Sequence, residues 1–123
     1  MWRIRHGANK TGTNSKPIVL NHGLLATGHC FMYNYPHLSL ATVLADEGYD
    51  VWIPNNRGNT FSRNHTTLNP DKSKFWDFDY EDMALYDVPA NLEYVAKATG
   101  VEKFPYIGHS QGTVQMFVAL SKI

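Results

Sequence analysis

With 123 residues the chain has room for one domain at most, and a complete domain of that size buries about two-thirds of its unfolded surface. Eleven basic residues are matched by eleven acidic ones, intermixed along the chain, so there is no electrostatic case for a nucleic-acid partner. No apolar run reaches the length of a membrane span, and the single cysteine, Cys30, excludes an internal disulfide and reads as a small buried apolar residue.

The opening MWRIRHGANK is basic but lacks the apolar segment of a signal peptide. Taken alone that points to the cytosol, and it is equally expected of a chain whose true start lies upstream. Trp2 and Ile4 alternate with Arg3 and Arg5, the pattern of a half-buried edge strand over residues 2–6. GANKTGTNSKP is then a polar loop. Asn9-Lys10-Thr11 and Asn64-His65-Thr66 are glycosylation tripeptides, relevant only in a secretory compartment. Ile18-Val19-Leu20 is a short apolar strand of the kind buried on both faces of a parallel sheet. It is followed by HGLLATGHCFMYNYP, a long connection without periodicity.

Ser39 is expected to cap a helix over residues 40–47, with Leu40, Val43 and Leu44 as its apolar stripe and Gly48 at its end. Residues 49–53 read as the next strand, closed by Pro54. The polar segment NNRGNTFSRNHTTLNPDKSK reads as a surface excursion, with Arg57-Gly58 anchoring the loop. An aromatic cluster, FWDFDY, leads into a helical pattern over residues 81–98 with the stripe Leu85, Val88, Leu92 and Val95. Pro89 interrupts that pattern, which predicts a short helix to about residue 86 and a second one capped by Asp87. Thr99-Gly100 ends it. Strands alternating with helices define an α/β fold with a mostly parallel sheet.

Residues 104–107 form a last predicted strand, and Gly108-His109-Ser110-Gln111-Gly112 connects it to a final helix. The pattern is G-x-S-x-G between a strand and a helix, the arrangement that holds a serine out on a strained turn as a nucleophile. The glycines let strand and helix pass close to one another. A serine hydroxyl needs a base and a group that orients it, and in the hydrolase order both follow the serine. The residues after Ser110 are QGTVQMFVALSKI, which contain no Asp, Glu or His. All six histidines precede Ser110; His109 reads as a packing neighbour, and His22 is the in-chain candidate for a substitute base. Neither H-E-x-x-H nor C-x-x-C occurs, so nothing points to a metal or any other cofactor. Val114, Met116, Phe117, Val118, Leu120 and Ile123 cover most of the last helix, which is expected to be buried on several sides. The chain therefore reads as the N-terminal part of a larger domain.

GHSQG, HGLLATG, LADEGYDVWIPNNRGNT, FWDFDYEDMALYDVPANLEYV and ATG, in this chain from about Ile18 onward, resemble the acid lipase family, the relatives of gastric and lysosomal acid lipase. The resemblance implies an α/β-hydrolase fold and hydrolysis of triacylglycerols or sterol esters at a lipid–water interface, in a lysosomal or secreted protein. It makes Ser110 the nucleophile, Leu24 and Gln111 the backbone donors of the oxyanion hole, and Gly108, His109 and Gly112 the rest of the nucleophile turn. The family's acid, base and lid map to no residue here. Pro105 departs from a regular central strand, so pairing is expected to begin after it. The leading reading is a serine hydrolase of neutral lipid esters. The alternatives are a carboxylesterase or thioesterase on the same scaffold, or a non-enzymatic binding module.

Overall fold

In a computed structural model, residues 1–7 and 16–122 are described, so most of the polar loop, the Asn9 tripeptide and Ile123 lie outside the described residues. Four strands form one mixed sheet: β1 (Trp2–Ile4), β2 (Pro17–Asn21), β3 (Asp50–Ile53) and β4 (Tyr106–Gly108), in the order β1-β3-β2-β4. β2 runs parallel to both of its neighbours, and β1 is antiparallel to β3 at one edge. All of β2 and β3 is buried, which is why Ile18, Val19 and Leu20 and then Val51, Trp52 and Ile53 run apolar without polar alternation. On β1 the expected alternation holds: Trp2 and Ile4 face the core, while Arg3 clasps Asp50 in a two-pronged ion pair and lies over Trp52.

Period-two geometry sends Ile18 and Leu20 to one face of the sheet, and Val19 and Asn21 to the other. Ile18 and Leu20 pack with Val51, Ile53 and helix α1 (Leu40–Asp46), while Val19 and Trp52 pack with Val95. Each such side chain contributes about 2 kcal/mol by leaving water.

The buried face of α1 is Ala41 and Ala45, with Leu44 beside them. Leu40 and Val43 are exposed, so two of the three expected stripe residues face outward. Small residues let the helix axis come close to the sheet, and the larger ones are turned out as a result. Ser39 occupies the cap position, but its hydroxyl caps nothing; it is buried and donates to the carbonyl of Asn34 at 2.8 Å.

The interruption at Pro89 takes a form different from two separate helices. One turn of α-helix, α2 (Tyr80–Asp82), runs through a π-helical segment (Met83–Asp87) into α3 (Val88–Thr99). The wider turn, closed by the Val88 N–H on the Met83 carbonyl, absorbs the missing donor and the ring of proline without a break. Asp87 has helical backbone angles and does not cap; its carboxylate holds Arg57 instead. Asp79 caps the first turn, in a reciprocal capping box with Asp82. Gly100, with φ of 71°, ends α3 as expected.

β4 starts at Tyr106, after Pro105, whose carbonyl accepts from Val19 N–H at 3.0 Å. Among the described residues β4 is an edge strand, not a central one. Helix α4 (Gln111–Lys122) buries Gly112, Gln115 and Ala119 only. α3 and the π-helical segment cover one side of it and nothing among the described residues covers the other, so these elements are too few to bury it on several sides, as the sequence pattern suggests.

Candidate active site

The carboxyl ends of β2 and β4 lie side by side, with Asn21 opposite Gly108 as the last residue of each strand. In parallel sheets this is where binding sites form, because two neighbouring loops leave the sheet together. Two turns emerge here, one at residues 23–26 and one at residues 108–112.

Ser110 has φ of 53°. An L-residue in the left-handed region costs roughly 1–2 kcal/mol, which its surroundings must offset. They do so by fixing both sides of it: His109 N–H donates to the carbonyl of Asn21, while Gly112 and Thr113 donate back to His109 and Ser110. The flanking glycines are required sterically. A Cβ on Gly108 would sit 2.6 Å from the Thr113 nitrogen, and one on Gly112 would sit 2.5 Å from the Asn21 carbonyl oxygen. Ser110 is exposed, and its hydroxyl makes no hydrogen bond among the described residues.

The other turn is closed by Ala26 N–H on the Gly23 carbonyl, with Leu25 at φ of 57°. It touches the first directly, since a Cβ on Gly23 would lie 2.9 Å from Cβ of Ser110. The bonds that close the two turns are donated by Ala26, Gly112, Thr113 and Val114, and among the described residues the N–H groups of Leu24 and Gln111 take no backbone partner. Both residues line one cleft of about 440 Å³, with His22, Asn56, Trp76 and Phe78 among its other walls. Ser110 is not a lining residue; it stands beside the cleft through its neighbours Gly23 and Gln111.

His22 is 2 % exposed. Its Nε2 accepts the Asn56 N–H at 3.0 Å, with Asn59 Nδ2 also at 3.1 Å, so the proton sits on Nδ1 and is donated to the Gly23 carbonyl at 2.9 Å. Burial depresses its pKa, partly opposed by the bond to Gly23. With both nitrogens occupied it has no free lone pair for the Ser110 proton, and the substitute-base reading of His22 is overturned. His109 is exposed and its ring nitrogen lies near Gly23, as a packing neighbour would.

The polar segment after β3 is not a surface excursion throughout. Its beginning is built into the site: Asn56 is buried, Asn55 accepts from Gly28 N–H and Asn59, and Asn59 reaches His22. Arg57 anchors the loop, as read from the sequence, by donating its own N–H, Nε and Nη2 to Asp87 at 3.1, 2.9 and 2.7 Å. The remainder of the segment, residues 60–74, is mostly exposed.

A second group went unnoticed in the sequence. Asn21, Tyr106 and Gln115 form a hydrogen-bonded set directly beneath the Ser110 turn, connected to Met83 in the π-helical segment. The signal was there: Gln115 is the one long polar side chain in the middle of an apolar helix, and Asn21 ends an apolar strand.

A mostly parallel sheet with a serine on a strained strand-to-helix turn defines a class, and similarity to known proteins agrees with it: residues 16–123 match the family described as alpha/beta hydrolase fold, and the chain belongs to that family. Within it the chain is similar to rat gastric triacylglycerol lipase, 46% identical over 98% of this chain and 31% of the relative. Human lysosomal acid lipase/cholesteryl ester hydrolase is 47% identical over the same shares. Lipase 1 of Drosophila melanogaster is 49% identical over 94% of this chain and 26% of the relative. The chain thus spans less than a third of the length of these relatives, which are lipases by name. Among the described residues no helix is long and apolar enough to cross a membrane.

Proposed function

We propose that this chain is the nucleophile-bearing N-terminal part of a single α/β-hydrolase domain in a lipase that cleaves neutral lipid esters, with Ser110 as nucleophile. The observation that carries the reading is the left-handed backbone of Ser110, exposed between β4 and α4 and in contact with Gly23 of the neighbouring turn. Strain of this kind persists where the surroundings hold it, and it belongs to sites where a side chain must be presented. Ser110 Oγ attacks the ester carbonyl, and the tetrahedral oxyanion is met by the N–H groups of Leu24 and Gln111. That of Gln111 stands at the positive end of α4. Collapse expels the alcohol, which takes up the proton that the Ser110 hydroxyl gave to the base on attack, and leaves an acyl group on Ser110, which water removes.

The acid and base come from the rest of the full-length protein. Supporting this, the chain spans 31% of the gastric and lysosomal relatives, and both nitrogens of His22 are engaged. The substrate class follows the names of the relatives, triacylglycerol lipase and cholesteryl ester hydrolase, and fits a cleft whose walls include Leu24, Leu25, Trp76 and Phe78. A lysosomal or secreted location follows from the same names.

In the full-length protein Ser110→Ala is expected to lower hydrolysis of long-chain esters by about 1,000-fold or more while leaving the thermal transition in place. Retention of a tenth of the wild-type turnover overturns the assignment. Turnover of short-chain esters and thioesters, measured alongside, separates a lipase from a carboxylesterase or thioesterase.

A further inference from the structure

The polar set beneath the Ser110 turn has no explanation in stability. Gln115 is fully buried and Asn21 is 2 % exposed. Burying two carboxamides is costly unless each is bonded, and an apolar pair of the same volume would serve a core at least as well. What the carboxamides add is direction.

Their orientation follows from a chain of donors. The Gly112 carbonyl only accepts, so Tyr106 Oη donates to it, at 2.9 Å. The Tyr106 oxygen must then be met by a donor, which makes the group 2.8 Å away the Nδ2 of Asn21. The second hydrogen of that nitrogen goes to Gln115 Oε1, also at 2.8 Å, which leaves Gln115 Nε2 for the Met83 sulfur at 3.0 Å. Each member thus allows its neighbour one orientation only. Burial raises the Tyr106 pKa to about 12, so its proton stays in place across the working range of any such enzyme.

The set also spans both turns. Asn21 ends β2 three residues before Leu24, and its carbonyl takes the N–H of His109; Gly112 follows Gln111. We propose that Asn21, Tyr106 and Gln115 are positioning residues that fix the separation of the Leu24 and Gln111 N–H groups, and so the shape of the oxyanion hole. An oxyanion hole acts only when its donors lie about 2.7–3.1 Å from the developing charge, and an error of about 1 Å costs about 100-fold. Two donors carried on separate loops need a rigid cross-link below them. This inference rests on the reading of Ser110 as nucleophile.

The test uses the full-length protein with three changes: Tyr106→Phe, the apolar pair Asn21→Leu with Gln115→Met, and Ser110→Ala in parallel. The apolar pair is expected to fold and to lose about 10- to 100-fold in kcat with KM within about twofold, because the oxyanion exists only after binding. Tyr106→Phe is expected to change kcat in the same direction, by about tenfold, and it keeps the test open if the pair does not fold. The ratio of ester to thionoester turnover is expected to fall in each, since it follows the fit of the hole to oxygen. A purely structural role would lower the yield of folded protein and move neither kcat per active site nor that ratio. Folded variants with wild-type kcat overturn the positioning role when Ser110→Ala is inactive. An active Ser110→Ala overturns the nucleophile reading itself, whatever the other variants do.

Discussion

The two faces of α4 differ in size and in polarity. Its inner face is Gly112, Gln115 and Ala119, buried; its outer face carries Val114, Phe117 and Leu120, which are 45%, 67% and 70% exposed. The inner face is small because it must approach closely: at Gly112 the helix backbone lies against the carbonyls of Asn21 and His22. It is polar at Gln115 because that position holds the hydrogen-bonded set under the Ser110 turn. α1 repeats the theme with Ala41 and Ala45 inside and Leu40 and Val43 outside. On the inner face of α4, closeness at Gly112 and direction at Gln115 decide which residues are used.

The largest expected effect breaks the inner face. Gly112→Ala would place a Cβ 2.5 and 2.8 Å from two backbone carbonyl oxygens, neither of which can rotate away. We expect a loss of about 3 kcal/mol in thermal or urea unfolding, together with loss of ester hydrolysis in the full-length protein. A smaller effect comes from His22, whose carbonyl is one of those two contacts. Its folded-state pKa is depressed, so the folded form favours the neutral ring. The unfolded chain takes up the proton first, near the ordinary value of 6.5, and stability is expected to be lost as pH falls from there toward the folded-state value. Unfolding measured between pH 8 and 5 is expected to show this slope, and a stability that rises on acidification through that window would contradict it. The smallest effect on stability belongs to the outer face. The 123-residue chain is expected to bind a hydrophobic dye strongly, and Phe117→Gln with Leu120→Gln to reduce that binding while changing unfolding by no more than about 0.5 kcal/mol. A loss of several kcal/mol would mean that this face is packed.

The two turns of the site differed in how readable they were. GHSQG announces itself, because glycine at both flanks of a serine between a strand and a helix has a mechanical cause that the structure displays at Gly108 and Gly112. HGLLA carries no such mark. Leu25, left-handed and 99% exposed, is the opposite of what turn chemistry leads one to expect, and Leu24 was reachable by resemblance alone. The strands and helix ends were legible from apolar runs and from Gly100. The burial of α1 was not, since its hydrophobic stripe selects the large residues where the fold uses Ala41 and Ala45. Asn21, Asn56, Tyr106 and Gln115 were missed because their partners are far away in the chain: Asn21 and Gln115 are 94 residues apart. Asp87 reads as a cap from local sequence, yet it serves Arg57, 30 residues away.

Whether Ser110 carries the acyl group is decided by trapping it there. Full-length protein is treated with a long-chain alkyl fluorophosphonate, which imitates the tetrahedral intermediate and stays bound to an activated serine, and the modified residue is located by mass spectrometry after digestion. A single adduct is expected on the peptide containing Ser110, lost in Ser110→Ala. An adduct on another residue, with Ser110 unmodified and turnover abolished, would contradict it.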